Sequence, residues 1–225
     1  MRLVNSTTAS LLGLGIIVLA FAAAAPIQKQ GGSHRNGLNT KVGEYQDSGS
    51  DIALLLGRAS DRLGIAVGLE FSGEIPSKAV SIHVSKGTAA DVFSAIVEHA
   101  PGYKWVEQDG VVDVLPEHSA ESVLDLKIDH FEVRDAMPDE IRDAITSLPE
   151  VKAWLTQNKV VERSFITPII PINDNGKAAL PRASIDVRGL TLREIINKIV
   201  RSPGFHGWSF VRYGEANRYL SIEIG

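Results

Sequence analysis

Part of this chain occurs twice, and an internal repeat constrains the possible fold more than any other feature of a sequence. Residues 80–98 read again, with changes, at 183–201. The identical positions, aligned without a gap, are Ser81 and Ser184, Ile82 and Ile185, Val84 and Val187, Thr88 and Thr191, Ile96 and Ile199, and Val97 and Val200. Both copies continue through a Pro-Gly-aromatic sequence to a tryptophan, Trp105 or Trp208. The repeat predicts two related small modules.

Each copy has the pattern of a strand followed by a helix and a hairpin. Val80, Ile82 and Val84 alternate with polar residues, which is typical of a half-buried strand. Thr88 stands three residues before Asp91, the spacing of a helix N-cap and its capping box. In the first copy, an Asp-Gly turn at 109–110 then indicates a hairpin. We therefore predict an α+β fold, in which each module packs a short mixed or antiparallel sheet on helices.

The composition of the chain changes at its beginning and between the copies. The predicted segments are a signal peptide at 1–24, a flexible lead-in at 25–49, a first module at 50–116, a linker at 117–122 and a second, diverged module at 123–225. The leader has an apolar run followed by Ala-x-Ala, the pattern of an export signal. Its apolar run is shorter than the roughly 20 residues that cross a bilayer, although an uncleaved anchor stays open. We predict a periplasmic or secreted protein.

The composition excludes several kinds of site. The chain contains no cysteine, so disulfides, thiolate metal sites and cysteine nucleophiles are excluded. Its formal net charge of −4 does not favour binding to nucleic acid.

The sequence also lacks catalytic motifs. None of the six histidines has the spacing of a helical metal site, and no Gly-x-Ser-x-Gly sequence occurs. His83 lies on the polar face of its strand and corresponds to Asp186 in the repeat, so we interpret this position as solvated. Asp129 and His130 are adjacent, and adjacent strand residues point to opposite faces. We predict that the protein is not an enzyme and that it has no cofactor and no metal site.

Several short motifs lie in a fixed order along the first module. They are Gly-Ile-Ala-Val at 64–67, the alternating strand at 80–84, Gly-Thr-Ala-Ala-Asp-Val at 87–92 and the hairpin at 103–115. In this order they resemble the short N-terminal domain family of secretins and TonB-dependent receptors, and residues 124–224 look like a diverged copy. Members of this family are periplasmic modules that dock against neighbouring subunits or a partner and carry no catalytic residues. The resemblance implies a docking or assembly role in the cell envelope.

We predict that a partner binds at an open sheet edge, where its own strand extends the sheet by β-augmentation. The predicted edges are the hairpin strands at 111–115 and 219–224. In the first, alternation predicts that Val112 and Val114 point inward and Asp113 outward. The predicted partner-binding residues are Lys104, Trp105, Val111, Asp113, Trp208, Arg212 and Tyr213. The partner is another envelope protein or a second copy of the chain.

Two alternatives remain open. Trp105 and Trp208 fit core packing against the repeat helices better than a role as partner anchors, because large aromatic residues dominate small cores. The alternative function is small-ligand or glycan binding in a cleft between the modules. That function requires Trp154 and Trp208 to face one shared cleft.

Overall fold

A computed structural model describes residues 37–73, 79–118, 122–163, 180–213 and 219–225. The predicted signal peptide at 1–24 lies outside these ranges, as do residues 25–36 of the predicted lead-in and 119–121 of the predicted linker. Helices and strands are mixed along the chain, and the sheets pack against helices. The predicted α+β class is confirmed.

The first module has the predicted strand, helix and hairpin. Its elements are β1 (Lys41–Val42), β2 (Tyr45–Gly49), α1 (Ile52–Leu63), β3 (Ala66–Ser72), β4 (Val80–Val84), β5 (Gly87–Thr88), α2 (Ala89–Val97), β6 (Tyr103–Gln108) and β7 (Val111–Pro116). The Asp51 carboxylate caps α1 by accepting a hydrogen bond from the Leu54 backbone N–H at 2.8 Å. Gly64 ends that helix in the left-handed conformation, with φ of 65°. The predicted capping box of Thr88 and Asp91 is confirmed at the start of α2.

The second module repeats this order with one more helix. Its elements are a short 3₁₀ turn (Val123–Asp125), β8 (Lys127–Ala136), α3 (Pro138–Ser147), α4 (Pro149–Gln157), β9 (Val161–Glu162), β10 (Ala183–Thr191), α5 (Leu192–Val200), β11 (Gly207–Tyr213) and β12 (Tyr219–Ile224). Thr191 and Glu194 form the second capping box, at the start of α5. The repeated sequence therefore begins its repeat helix in the same way in both modules.

The predicted flexible lead-in is wrong over its last residues. β2 pairs antiparallel with β4, from Tyr45 opposite Val84 to Gly49 opposite Val80. Tyr45 is only 3% exposed and belongs to the core of the first module. The polar composition does not indicate this strand, because only Tyr45 is fully buried and Gln46 and Ser48 face solvent.

The strand pairing is the same in both modules. β2 pairs antiparallel with β4, as β8 does with β10. β6 and β7 form an antiparallel hairpin, as β11 and β12 do. β3 lies parallel to β7, and β9 lies parallel to β12. The sequence repeat is thus also a repeat of topology.

The two modules share one sheet. Its strand order is β6-β7-β3-β11-β12-β9, and β3 of the first module pairs in parallel with β11 of the second. Gly207 permits this joint, because a Cβ atom there would lie 2.2 Å from the Val67 carbonyl oxygen. We call the pairing of β3 with β11 the joint.

The sheet is covered on both faces around the joint. Val67 and Val112 pack in one core cluster with α1 and α2. Their neighbours Ala66 and Val111 pack in the other cluster with α5, β11 and β12. Because adjacent strand residues point to opposite faces, the helices of the two modules lie on opposite sides of the shared sheet.

Candidate functional site

The predicted edge strand at 111–115 is an internal strand, and that prediction is wrong. β7 pairs with β6 on one side and with β3 on the other. Val112 and Val114 point towards the helices of the first module, as predicted. Asp113 points to the opposite face, also as predicted, but α5 covers that face and both Asp113 and Val111 are fully buried. Neither residue can meet a partner strand in this fold.

The second predicted edge has a strand on its outer side only at its first two residues. β12 is paired with β11 along its whole length and with β9 at Tyr219 and Leu220. Ser221, Ile222 and Ile224 are buried.

Asp113 belongs to a polar cluster at the joint. Asn197 of α5 donates from Nδ2 to Asp113 Oδ2 at 2.8 Å, and Trp208 Nε1 donates to Asn197 Oδ1 at 2.7 Å. Gly68 makes room for this contact, since a Cβ atom there would lie 2.3 Å from the Trp208 ring and 2.4 Å from Asp113 Oδ1. Asp113 Oδ1 itself has no hydrogen-bond partner among the described residues.

Burial is the main cause that raises the pKa of Asp113, to about 6. The hydrogen bond from Asn197 and the charge of Arg193 act in the opposite direction. The carboxylates of Glu70 and Asp109 raise this pKa further. Such a pKa would suit acid–base chemistry near neutral pH. Since Asp113 has no exposed surface, its protonation acts on the joint and not on a substrate.

A buried ion pair lies in the same cluster. Arg193 of α5 contacts Glu70 of β3 at 2.5 Å, and both side chains are buried. Arg193 also lies 3.5 Å from Asp125 and stands over the Trp208 ring at 5.8 Å. The two modules are therefore joined by polar contacts as well as by strand pairing.

The two repeat tryptophans make the same contact in each module. Trp105 Nε1 donates to Ser94 Oγ of α2 at 3.2 Å. In the gap-free repeat, Ser94 corresponds to Asn197, which accepts from Trp208. Trp208 is buried in the core and Trp105 is half-buried against its own core. The core-packing interpretation is confirmed for Trp208, which is out of reach of a partner, whereas Trp105 keeps part of its surface exposed.

Trp154 and Trp208 do not wall an open cleft. Both are buried, at 5% and 4% exposure, in one core cluster. The residue pair on which a ligand-binding cleft was predicted is therefore part of the protein interior.

The remaining predicted residues do not form one patch. Lys104 is exposed on β6, next to the half-buried Trp105. Arg212 and Tyr213 are half-buried at the end of β11, and Arg212 lies over the Trp154 ring at 5.4 Å. β7 and β3 separate β6 from β11, a distance of about 14 Å at the usual strand spacing.

The two outer strands of the shared sheet, β6 and β9, carry features that sequence reasoning missed. Val106 on β6 is 39% exposed and Val161 on β9 is 54% exposed. Within the described ranges, no strand pairs with the outer side of either one. A signal was present in the hairpin: β7 begins with a nearly unbroken apolar run, typical of a strand covered on both faces, whereas β6 mixes apolar and charged residues.

A cluster of possible metal ligands lies on β8 and β10. The donor atoms of His130, Glu132 and Asp186 all lie within 4.8 Å of one another. His130 Nε2 is 2.9 Å from Asp186 Oδ1. The sequence predicts that Asp129 and His130 point to opposite faces, and His130 indeed pairs with Asp186 and not with Asp129. The backbone N–H of Asp129 donates to Glu150 Oε1 at 3.3 Å.

Comparisons of the chain with protein-family models, with curated proteins and with solved structures find no match. The resemblance to the secretin and TonB short N-terminal domains therefore stays a prediction. In the part of the chain that the structure describes, every helix is too short or too polar to cross a membrane.

Proposed function

We propose that this protein is a non-catalytic, exported docking module of the cell envelope, and that a partner strand binds along the outer side of β6. The observation that carries the proposal is the position of β6 at the end of the shared sheet with Val106 exposed. A partner strand that pairs there would cover Val106 and extend the sheet by β-augmentation.

The hydrogen-bond pattern of the hairpin identifies which backbone groups of β6 a partner would meet. The Glu117 N–H donates to the Gly102 carbonyl at 2.8 Å, so Gly102 forms a hydrogen-bonded pair across the hairpin. In an antiparallel ladder such pairs alternate. The backbone groups of Trp105 and Glu107 therefore point away from β7, towards a partner strand.

The second module provides a precedent for a partner on this edge. β11 is the strand that corresponds to β6, and its outer side is occupied by β3. The Val67 N–H donates to the His206 carbonyl and the Gly73 N–H to the Arg212 carbonyl. In the repeat, the position of Trp105 corresponds to that of Trp208, between these two acceptors. The same edge thus accepts a strand in one module and, among the described residues, has no strand beside it in the other.

The charges on β6 support selective pairing. Lys104 and Glu107 are exposed on this strand, and charged residues on an edge oppose indiscriminate strand pairing. A partner strand must then match the charges as well as the backbone. The ligand-binding alternative gains no support, because its tryptophan pair is buried.

The test is a photo-crosslinking residue at Val106 in the full chain, in its native envelope, combined with changes at Glu107. Glu107→Pro removes a backbone N–H that points outward and leaves the bonds to β7 in place, so it is expected to abolish protein adducts while the fold survives. Glu107→Thr is the matched control, because it removes the same charge and keeps the N–H, and its adducts are expected to persist.

Circular dichroism and a thermal melt of Glu107→Pro check that the fold is intact. Adducts that persist in a folded Glu107→Pro variant, or a wild-type chain that captures no protein at Val106, would refute docking at β6.

A further inference from the structure

The antiparallel pair of strands β8 and β10 carries three side chains with metal-donor atoms on its outer face. His130 and Glu132 are two residues apart on β8 and so point to the same face. Asp186 of β10 lies directly opposite Glu132 in the strand register. All three side chains are accessible to solvent. Two hydrogen-bonded strands therefore fix one imidazole and two carboxylates around a common point.

The separations of these donors suit a small divalent ion. His130 Nε2 lies 2.9 Å from Asp186 Oδ1, and all donor atoms lie within 4.8 Å. Zinc bound tetrahedrally at about 2.1 Å separates its ligand atoms by about 3.4 Å, which lies between these values. Imidazole and carboxylate together suit zinc and its neighbours among the transition metals.

The first module offers a comparison, because two of its three corresponding positions also carry a histidine and a carboxylate. Gln46 lies opposite His83, as Glu132 lies opposite Asp186. Glu44 precedes Gln46 by two residues, as His130 precedes Glu132, and His83 Nε2 lies 3.4 Å from Glu44 Oε1. Each module thus pairs a histidine with a carboxylate here. The second module adds a further carboxylate where the first has an amide.

We propose that His130, Glu132 and Asp186 bind a divalent transition-metal ion, represented by Zn²⁺, that ties β8 to β10. Three protein ligands leave a fourth coordination position open to water or to a ligand from outside. The proposal replaces the sequence-based expectation that the chain has no metal site. It does not depend on docking at β6.

Two arginines oppose the metal on this face. Arg134 lies 2.7 Å from Glu132 Oε1, and Arg188 lies opposite His130 in the register. The Arg134 guanidinium competes with a metal ion for the Glu132 carboxylate, and its positive charge repels the ion. Removal of Arg134 is therefore expected to strengthen metal binding. If Arg134 served only to hold the site together, its removal would weaken metal binding instead.

The test is a calorimetric titration of the full chain, produced without a histidine tag, with ZnCl₂ at neutral pH. We expect one equivalent to bind. His130→Ala and Asp186→Asn are each expected to weaken binding at least about tenfold, because the loss of even a hydrogen-bond partner of a metal ligand typically costs 10–100-fold. Arg134→Ala is expected to tighten it several-fold.

Two matched variants use the first module as a control. Glu132→Gln gives the second module the amide that Gln46 has in the first, and it is expected to weaken binding as much as His130→Ala does. His83→Ala is expected to leave binding unchanged. The proposal is overturned by the absence of saturable binding, by binding that Glu132→Gln and His130→Ala leave intact, or by a loss that His83→Ala produces equally.

Discussion

The two modules have the same topology, yet the same strand is an outer edge in one and a joint in the other. Lys104 on β6 and Gly207 on β11 occupy corresponding positions in the repeat. The glycine lets the Val67 carbonyl approach to a distance that no Cβ atom would allow. The lysine leaves its edge charged and unpaired among the described residues. The corresponding edge is thus paired with β3 in the second module and has no partner strand among the described residues in the first.

The polar residues differ in the same way. Ser94 and Asn197 accept the indole N–H at corresponding positions. Asn197 has a further donor group, and it uses that group to reach Asp113 across the joint. Serine could accept the indole but could not also span to a second strand in this way. The comparison therefore places the specificity of the joint in Asn197, Asp113 and Gly68.

The largest expected difference between the modules is in the stability that each loses when its repeat tryptophan is removed. Trp208→Ala removes a fully packed ring at the joint and is expected to lower the free energy of unfolding by about 3–5 kcal/mol. Trp105→Ala removes a half-buried ring near the outer edge and is expected to cost less than half as much. Urea denaturation of both variants measures the difference. Equal losses would mean that the joint adds nothing to the packing of its tryptophan.

A second difference is the pH dependence that Asp113 gives the joint. Burial raises the pKa of Asp113 from 3.8 in its unperturbed state to about 6, so the folded chain holds this proton more strongly than the unfolded chain. The contribution of the protonated Asp113 side chain to the free energy of unfolding is fully present below pH 3.8. It declines as the pH rises towards 6 and is lost above pH 6. The total change is about 3 kcal/mol at about 1.4 kcal/mol per pKa unit.

Asp113→Asn isolates this contribution. Its advantage in unfolding free energy over the wild type is expected to grow from pH 4 to pH 6, about the range of the shifted pKa, and to level off above that range. Denaturation curves at several pH values measure it. A difference that stays constant across this range would contradict a buried, titrating Asp113.

The smallest expected effect on stability comes from the helix N-caps, a feature that the two modules share. Thr88→Ala and Thr191→Ala each remove the N-cap of a repeat helix that has the same capping box. Each is expected to cost about 1 kcal/mol, with the two values close to each other. Thermal melts of the two variants compare them. A much larger loss for one would show that its threonine has a second role beyond the cap.

Local features of this fold could be predicted from the sequence, because short-range patterns determine them. The capping boxes at Thr88 and Thr191, the cap at Asp51 and the Asp-Gly hairpin turn all depend on residues within a few positions of one another. The contact that decides which strands are edges is of another kind. It joins β3 to β11 across most of the chain, and neither strand carries a local sign of its partner.

Two residues, Asp113 and His130, have partners that the local sequence pattern does not indicate. Asp113 alternates with valines, and alternation alone indicates a polar residue that faces solvent. Only the covering helix α5 shows that this face is interior. Asp129 is the chain neighbour of His130, whereas the partner of His130 is Asp186 on the adjacent strand. Both residues depend on tertiary neighbours that a single sequence does not specify, a covering helix for Asp113 and an adjacent strand for His130.

The joint also has a consequence for how the chain is made. The hydroxyl of Ser60 donates to the carbonyl of His206, a contact between residues 146 positions apart. Synthesis runs from the N-terminus, so β3 is complete long before β11 exists. Contacts of such long range form slowly, and an unpaired strand edge invites pairing with other chains. A newly made first module therefore carries an open β3, and its exposure to aggregation ends only when β11 of the second module pairs with that strand.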